Sequence, residues 1–157
     1  MTIPSAPVVS VVMPVFNGSE YLSLAVESIL AQSFSDLEFL IVDDGSTDDS
    51  LEILRRYESQ DSRIKIISRE NTGMPRALNE GISLARGPFV ARMDADDIAE
   101  PSRIAQQVHY LQGHRECVAV GSALVFIDPD GEILAEQKTP ESHEELLERL
   151  WQGDSAL

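Results

Sequence analysis

The run Asp94-Ala95-Asp96-Asp97 is the stretch of this chain whose residue types and spacing point most directly to chemistry. Alternate residues of an extended segment face the same way, so Asp94 and Asp96 can bring two carboxylates to one hard cation. Mg2+ or Mn2+ suits such oxygen ligands, and a diphosphate group would fill the rest of an octahedral shell and be neutralised as it departs. Asp43-Asp44-Gly45-Ser46 is a second acidic cluster, placed directly after an apolar run. A carboxylate there can accept a hydrogen bond from a base N–H or a ribose hydroxyl. Phe16, in Phe16-Asn17-Gly18, offers a ring on which a base could stack, and Arg69 and Arg76 are candidate diphosphate partners.

Each of these has a plainer reading. The Asp94 cluster can be a solvated loop whose carboxylates favour a helix N-terminus, with Asp97 in that role. Asp43 and Asp44 can be turn formers, Phe16 a core aromatic, and the two arginines surface residues. A calcium-binding loop is excluded, because its glycine and terminal glutamate positions would fall on Ala99 and Ala105. His109, His114 and His143 show no ligand spacing with one another.

The elements that must hold these clusters follow from hydrophobic periodicity. Val8 to Val15 is a nearly unbroken β-branched run, the pattern of a central parallel strand covered on both faces. Leu22, Ala25, Val26, Ile29 and Leu30 recur at helical spacing, and that helix ends near Gln32. Leu37 to Val42 reads as a second strand. Ser46 and Asp49 then have capping-box spacing ahead of a helix through Tyr57, with Leu51 and Leu54 inward. Arg63 to Ser68 is a third strand, Pro75 opens a helix with Ala77, Leu78, Gly81, Ile82 and Ala85 on one side, and Phe89 to Met93 is the fourth strand. A helix beginning at Pro101 carries Ile104, Val108 and Leu111. Strand and helix alternate four times, which predicts a doubly wound, mostly parallel α/β sheet with helices on both faces. An order of 3-2-1-4 would bring all three polar clusters to one rim, outside the carboxyl ends of the strands. Val118 to Ile127, a turn at Asp128 to Gly131, and Glu132 to Lys138 predict a hairpin, and Glu141 to Leu150 a short amphipathic helix.

The chain has 157 residues, 43% of them hydrophobic, which suits a single domain over 1–157. Its 27 acidic and 12 basic residues give a formal net charge of -15, which argues against nucleic acid and against anionic membrane surfaces as partners. An anionic nucleotide bound by such a protein needs a cation or local N–H groups to offset the repulsion. The single cysteine, Cys117, rules out an internal disulfide and fits a reducing, cytoplasmic compartment. No segment reaches the roughly 20 apolar residues of a membrane span, so the chain is expected to be soluble.

Taken in order, MPVFNG, LIVDDGSTDDS and NTGMPRALNEGISLARGPFVARMDADDIAEPSRIAQQ resemble the successive signatures of family 2 glycosyltransferases, over roughly Val8 to Leu111. The resemblance implies a GT-A fold that transfers a sugar from a nucleoside diphosphate sugar, UDP-linked, to an acceptor hydroxyl with inversion, as in polysaccharide or cell-envelope glycan synthesis. It implies that Asp44 reads the base, that Pro14 to Phe16 lines the base pocket, and that Arg76 and Asn79 line the donor site. Asp94 and Asp96 match the metal motif for Mn2+ or Mg2+, with Asp96 as direct ligand and Asp94 nearer the ribose or metal shell. The acceptor, a glycan or lipid-linked molecule, is left unspecified. The family's catalytic base lies in a downstream acidic pair that has no counterpart in this sequence, so the chain is expected to be the donor half of an enzyme, or a nucleotide-sugar-binding module without transfer. The loop Pro14-Val15-Phe16-Asn17 lacks the glycines that a sugar nucleotidyltransferase or a dinucleotide-binding dehydrogenase needs after its first strand. A receiver domain would carry its aspartate pair at the first strand, and here the pair follows the second.

Overall fold

A computed structural model describes residues 6–137, 139–140 and 142–152. The chain divides into two compact units, Met1–Val108 and His109–Leu157. The first holds a four-stranded sheet with every pairing parallel and the order β3-β2-β1-β4, the one that brings the three polar clusters to one rim. Its strands are β1 (Val9–Val15), β2 (Leu37–Asp43), β3 (Ile64–Ser68) and β4 (Phe89–Arg92). All seven residues of β1 and all seven of β2 are buried, as continuous apolar runs in the middle of a parallel sheet require. The flanking β3 and β4 alternate between more and less exposed positions, because successive side chains face opposite sides of the sheet and one side is less covered at its edges.

The helices sort by face. Val9, Val11, Met13 and Val15 of β1, with Phe39 and Ile41 of β2, pack in one cluster with α1 (Leu22–Leu30), through Leu22, Ala25, Val26 and Ile29. Leu54 of α2 (Ser50–Gln60) and Ile104 and Val108 of α4 (Arg103–Gly113) complete that cluster. Each fully buried side chain of this size contributes about 1.5–3 kcal/mol. The other face is covered by α3 (Met74–Leu84), which buries Ala77 and Gly81. A Cβ on Gly81 would lie 2.4 Å from Val12 Cγ1, so only glycine lets this helix approach the sheet. Ile82, expected inward, is instead exposed, because the contact stripe is narrowed to the small residues.

The capping box expected from Ser46 and Asp49 does not form: α2 has no side-chain cap bond at Asp49. The Ser46 hydroxyl instead accepts from the backbone N–H of Asn17, 3.0 Å away in the loop after β1. Asp48 takes over near the helix start, accepting from Ser50 N and Ser19 N at 3.0 Å each, and these bonds hold its carboxyl far below the ordinary range despite its burial.

In the second unit, β5 (Leu124–Ile127) and β6 (Ile133–Gln137) form an antiparallel hairpin with a bulge at Phe126/Ile127. The expected fifth strand is thus shorter than Val118 to Ile127, because β6 supplies partners for Leu124 to Ile127 alone. The turn is set by Asp128 Oδ1, which accepts from Asp130 N and Glu132 N, and by Gly131 at φ 86°. An amphipathic helix, α5, spans His143–Gln152, with Glu145 N donating to Ser142 Oγ. Lys138 and Glu141, placed at element ends by the sequence reading, lie outside the described residues.

Candidate functional site

The sheet order brings three loops to the carboxyl rim, and backbone hydrogen bonds to side chains join the first two. Asn17 adopts a left-handed conformation (φ 52°), and its Oδ1 accepts from Thr47 N at 2.8 Å. Gly18 N donates to Ser50 Oγ at 3.0 Å. The loop after β2 in turn lies against the segment after β3: a Cβ on Gly45, which sits at φ 77°, would come 2.8 Å from Asn71 N. Gly18 also approaches the acidic loop, since a Cβ there would stand 3.5 Å from Ala95 Cβ.

The aspartate pair after β2 divides its work. Asp43 is fully buried and turned inward, accepting from Ser46 N at 3.2 Å and from Ser68 Oγ at 2.9 Å. Asp44 is 2% exposed yet lines the cleft. Its Oδ1 accepts from Arg69 Nη2 (2.7 Å) and Thr72 N (3.0 Å), and its Oδ2 from Gly73 N (2.8 Å). Burial alone would push this carboxyl up, but the two backbone N–H groups and the guanidinium outweigh it and hold Asp44 below the ordinary range. Arg69 is therefore a structural partner of Asp44, bridged at its other end to Glu80 Oε2 at 3.0 Å, with its Nε buried and unpartnered.

At the end of β4 the arrangement differs. Asp94 is paired with Arg92 across two residues, Nε to Oδ1 at 3.0 Å and Nη2 to Oδ2 at 2.9 Å, with both side chains substantially in solvent. Asp96 is exposed. Asp97 closes the turn through its N–H to Asp94 O, and its carboxyl is pushed up by loss of solvent and by the neighbouring charges of Asp94 and Asp96. Arg103 stands beside this loop with its guanidinium on Arg92 O at 2.6 Å, and its own pKa is lowered by burial.

Together these loops form a cleft of about 710 Å3. Of the residues singled out in the sequence, Pro14, Phe16, Asp44, Asp94 and Asp96 line it. Arg76 and Asn79 are exposed on α3 and are not in the lining, because the buried side of that helix is spent on Ala77 and Gly81. Glu20, Tyr21, Asn71, Gly73 and Met74 join the lining without having been singled out. Their one sequence signal is position, since they flank Asn17-Gly18 and the Asn71-Thr72-Gly73 turn, where Gly73 takes φ 95°.

The cleft holds four carboxylates (Glu20, Asp44, Asp94 and Asp96) and no lysine or arginine lines it. Among the described residues no three His, Cys, Asp or Glu side chains are grouped to hold a metal by themselves. Asp94 and Asp96 are the lining carboxylates that could hold a cation, as nucleotide sites hold Mg2+ with one or two carboxylates plus phosphate oxygens and water.

The description "Glycosyl transferase family 2" matches residues 10–154. An uncharacterized glycosyltransferase of Haemophilus influenzae is 36% identical over 155 residues, which cover 93% of this chain and 48% of the relative. The chondroitin synthase of Escherichia coli is 34% identical over 134 residues, 85% of this chain and 20% of the synthase. The chain thus spans about half the length of the first relative and a fifth of the second. Among solved structures, S. aureus TarS 1-349 in complex with UDP is 28% identical with a TM-score of 0.63, over 68% of this chain and 32% of that one. Mannosyltransferase PcManGT from Pyrobaculum calidifontis, in complex with GDP-Man and Mn2+, is 25% identical with a TM-score of 0.64, over 81% of this chain and 37% of that one. The parallel sheet and its flanking helices are similar to those of GT-A glycosyltransferases. On the matched residues, the identities and the fold together, this chain belongs to glycosyl transferase family 2.

Proposed function

We propose that the cleft binds a UDP-linked sugar with Mn2+ or Mg2+, and that the protein of which this is the donor side transfers the sugar with inversion to an acceptor hydroxyl in the cytoplasm. The observation that carries the reading is the meeting, in one cleft, of the ionised Asp44, with one open acceptor position, and two further carboxylates, the exposed Asp96 and the Arg92-paired Asp94.

Each carboxylate oxygen accepts about two hydrogen bonds. On Asp44, Oδ1 is filled by Arg69 and Thr72 and Oδ2 is half filled by Gly73, which leaves one position. Uracil presents a single imide N–H to such a group. Guanine presents two adjacent donors and would leave one of them unmet, at a cost of about 1–3 kcal/mol. Phe16, 53% exposed on the rim, supplies a face for the base. Asp94 and Asp96 would hold the cation beside the diphosphate, and it would supply charge neutralisation for the leaving nucleotide. The chain's residues bind and orient the donor, and the acceptor oxygen attacks the sugar from the face opposite the diphosphate. The binding of UDP by TarS, and of GDP-Man with Mn2+ by PcManGT, supports a nucleotide with a metal in a cleft of this fold.

Thermal stability against UDP, dTDP and GDP, each with Mn2+ and with chelator, tests the reading. A nucleotide at about 100 times its Kd adds about 2.7 kcal/mol. UDP with Mn2+ is expected to raise the midpoint more than GDP with Mn2+, and chelator to remove most of the gain. A larger shift with GDP would overturn the base assignment, and a gain unaffected by chelator would overturn the metal.

A further inference from the structure

Asp96 is exposed and Asp94 is held by a solvent-facing pair, so the spacing of the two carboxylates depends on the backbone that carries them. The backbone entering the loop is fixed by Met93 N on Val12 O at 3.0 Å and by Arg103 on Arg92 O. The backbone leaving it is fixed from α1. Gln32, 6% exposed just past the end of that helix, donates from Nε2 to Glu100 O at 2.8 Å and to Ser28 O at 3.1 Å. Its Oε1 accepts from Ile104 N at 3.0 Å, an otherwise unpaired N–H in the first turn of α4. Ser28 Oγ accepts from Ala99 N at 3.0 Å, and Ser33 N donates to Pro101 O at 2.8 Å. A buried amide costs stability unless its donors and acceptor are met, and here both donors and the acceptor are used, two of the three bonds on the segment that follows the acidic loop.

We propose that Gln32 is a positioning residue for the acidic loop, holding Asp94 and Asp96 at the spacing that metal-dependent nucleotide binding needs. The proposal rests on the metal-assisted donor site of the preceding section. Gln32 touches no substrate; it acts through Glu100 O and Ile104 N, which set where the segment after Asp97 runs. Groups that orient metal ligands from behind typically change metal affinity about 10- to 100-fold when lost.

The test is a calorimetric titration of the folded chain with UDP in Mn2+, with UDP in chelator, and with uridine. Gln32→Met is expected to reduce the Mn2+-dependent gain in UDP affinity by about tenfold while leaving uridine affinity unchanged. Ser28→Ala, which removes one anchor of the same segment, is expected to reduce it less, and it decides the matter if Gln32→Met does not fold. Glu38→Gln is the stability control, because it loosens a buried network at the opposite end of the sheet: it should lower the melting temperature and leave the Mn2+-dependent gain intact. A gain that is undiminished in the folded Gln32 or Ser28 variant would overturn the proposal, as would uridine affinity falling in step with it. Absence of UDP binding by the unaltered chain would overturn the donor-site reading itself, a result distinct from either.

Discussion

Asp43 and Asp44 at the end of β2 and Asp94 and Asp96 beyond β4 share one rim of one sheet, yet the chain treats their charges differently. The β2 pair is buried, and its carboxylates accept from the backbone N–H groups of 46, 72 and 73, the Ser68 hydroxyl and the Arg69 guanidinium. The β4 pair stands in solvent, with Arg92 as the partner of Asp94. A carboxylate whose protein partners nearly exhaust its lone pairs can select one more donor by position, which suits reading a base. A carboxylate in solvent retains the charge to attract a cation. The difference arises from the neighbouring strands. β2 lies between β1 and β3, whose loops close over its end, whereas among the described residues β4 pairs with β1 alone.

The sharpest way to break this comparison is Asp44→Ala. It leaves Arg69 without its nearest partner and frees the N–H groups of Thr72 and Gly73, so unfolding in urea is expected to show a loss of about 3 kcal/mol, together with loss of uridine binding. Stability equal to the parent would show that the β2 pair is no more embedded than the β4 pair. Next in size, Asp96→Asn is expected to lower Mn2+-dependent UDP affinity about 100-fold, close to 2.7 kcal/mol, with little change in melting temperature, since the side chain is exposed. A large stability loss with unaltered affinity would reverse the roles of the two clusters.

A pH series sharpens the same contrast. Asp44 lies below its ordinary value, and so does Glu38, where burial is outweighed by the Ser10 hydroxyl and by the Arg86 backbone N–H and guanidinium. A group with a lowered folded pKa stabilises fully above its unfolded value, about 4 for these carboxylates, and loses that contribution as pH falls through the folded value. Stability is therefore expected to hold down to about pH 5 and to fall steeply below about pH 4, and Glu38→Gln should flatten part of the fall. The smallest effect is reserved for Arg92→Ala. Removing a solvent-exposed partner, worth about 0.2–1 kcal/mol, frees Asp94 for a cation and should raise Mn2+-dependent UDP affinity a few-fold. A drop instead would place Arg92 among the groups that hold the donor.

Much of the first unit was legible before the structure. The β-branched runs of β1 and β2, the 3.6-residue stripe of α1 and the alternation of elements led to the parallel sheet, because a central strand buried on both faces reads as a continuous apolar run and alternation with helices calls for parallel crossovers. Cluster position at strand ends likewise brought Phe16, Asp44, Asp94 and Asp96 to one cleft. The partners of those residues were not legible, because they are separated in sequence. Ser46 and Asp49 had the spacing of a cap, but Asn17, 29 residues before Ser46, took the hydroxyl. Arg69, readable from the sequence as a diphosphate partner or a surface residue, is set by the fold against Asp44, 25 residues away. Gln32 read as the end of a helix, and its amide turned out to hold a segment 68 and 72 residues downstream. The sequence by itself determined which elements form, that the sheet is parallel and which carboxylates stand at strand ends, since these depend on local periodicity and on the handedness of crossovers. Which carboxylates are saturated, which arginine is a partner and which amide braces the acidic loop was decided by tertiary structure alone, because hydrogen bonds between loops depend on distances that local spacing does not encode.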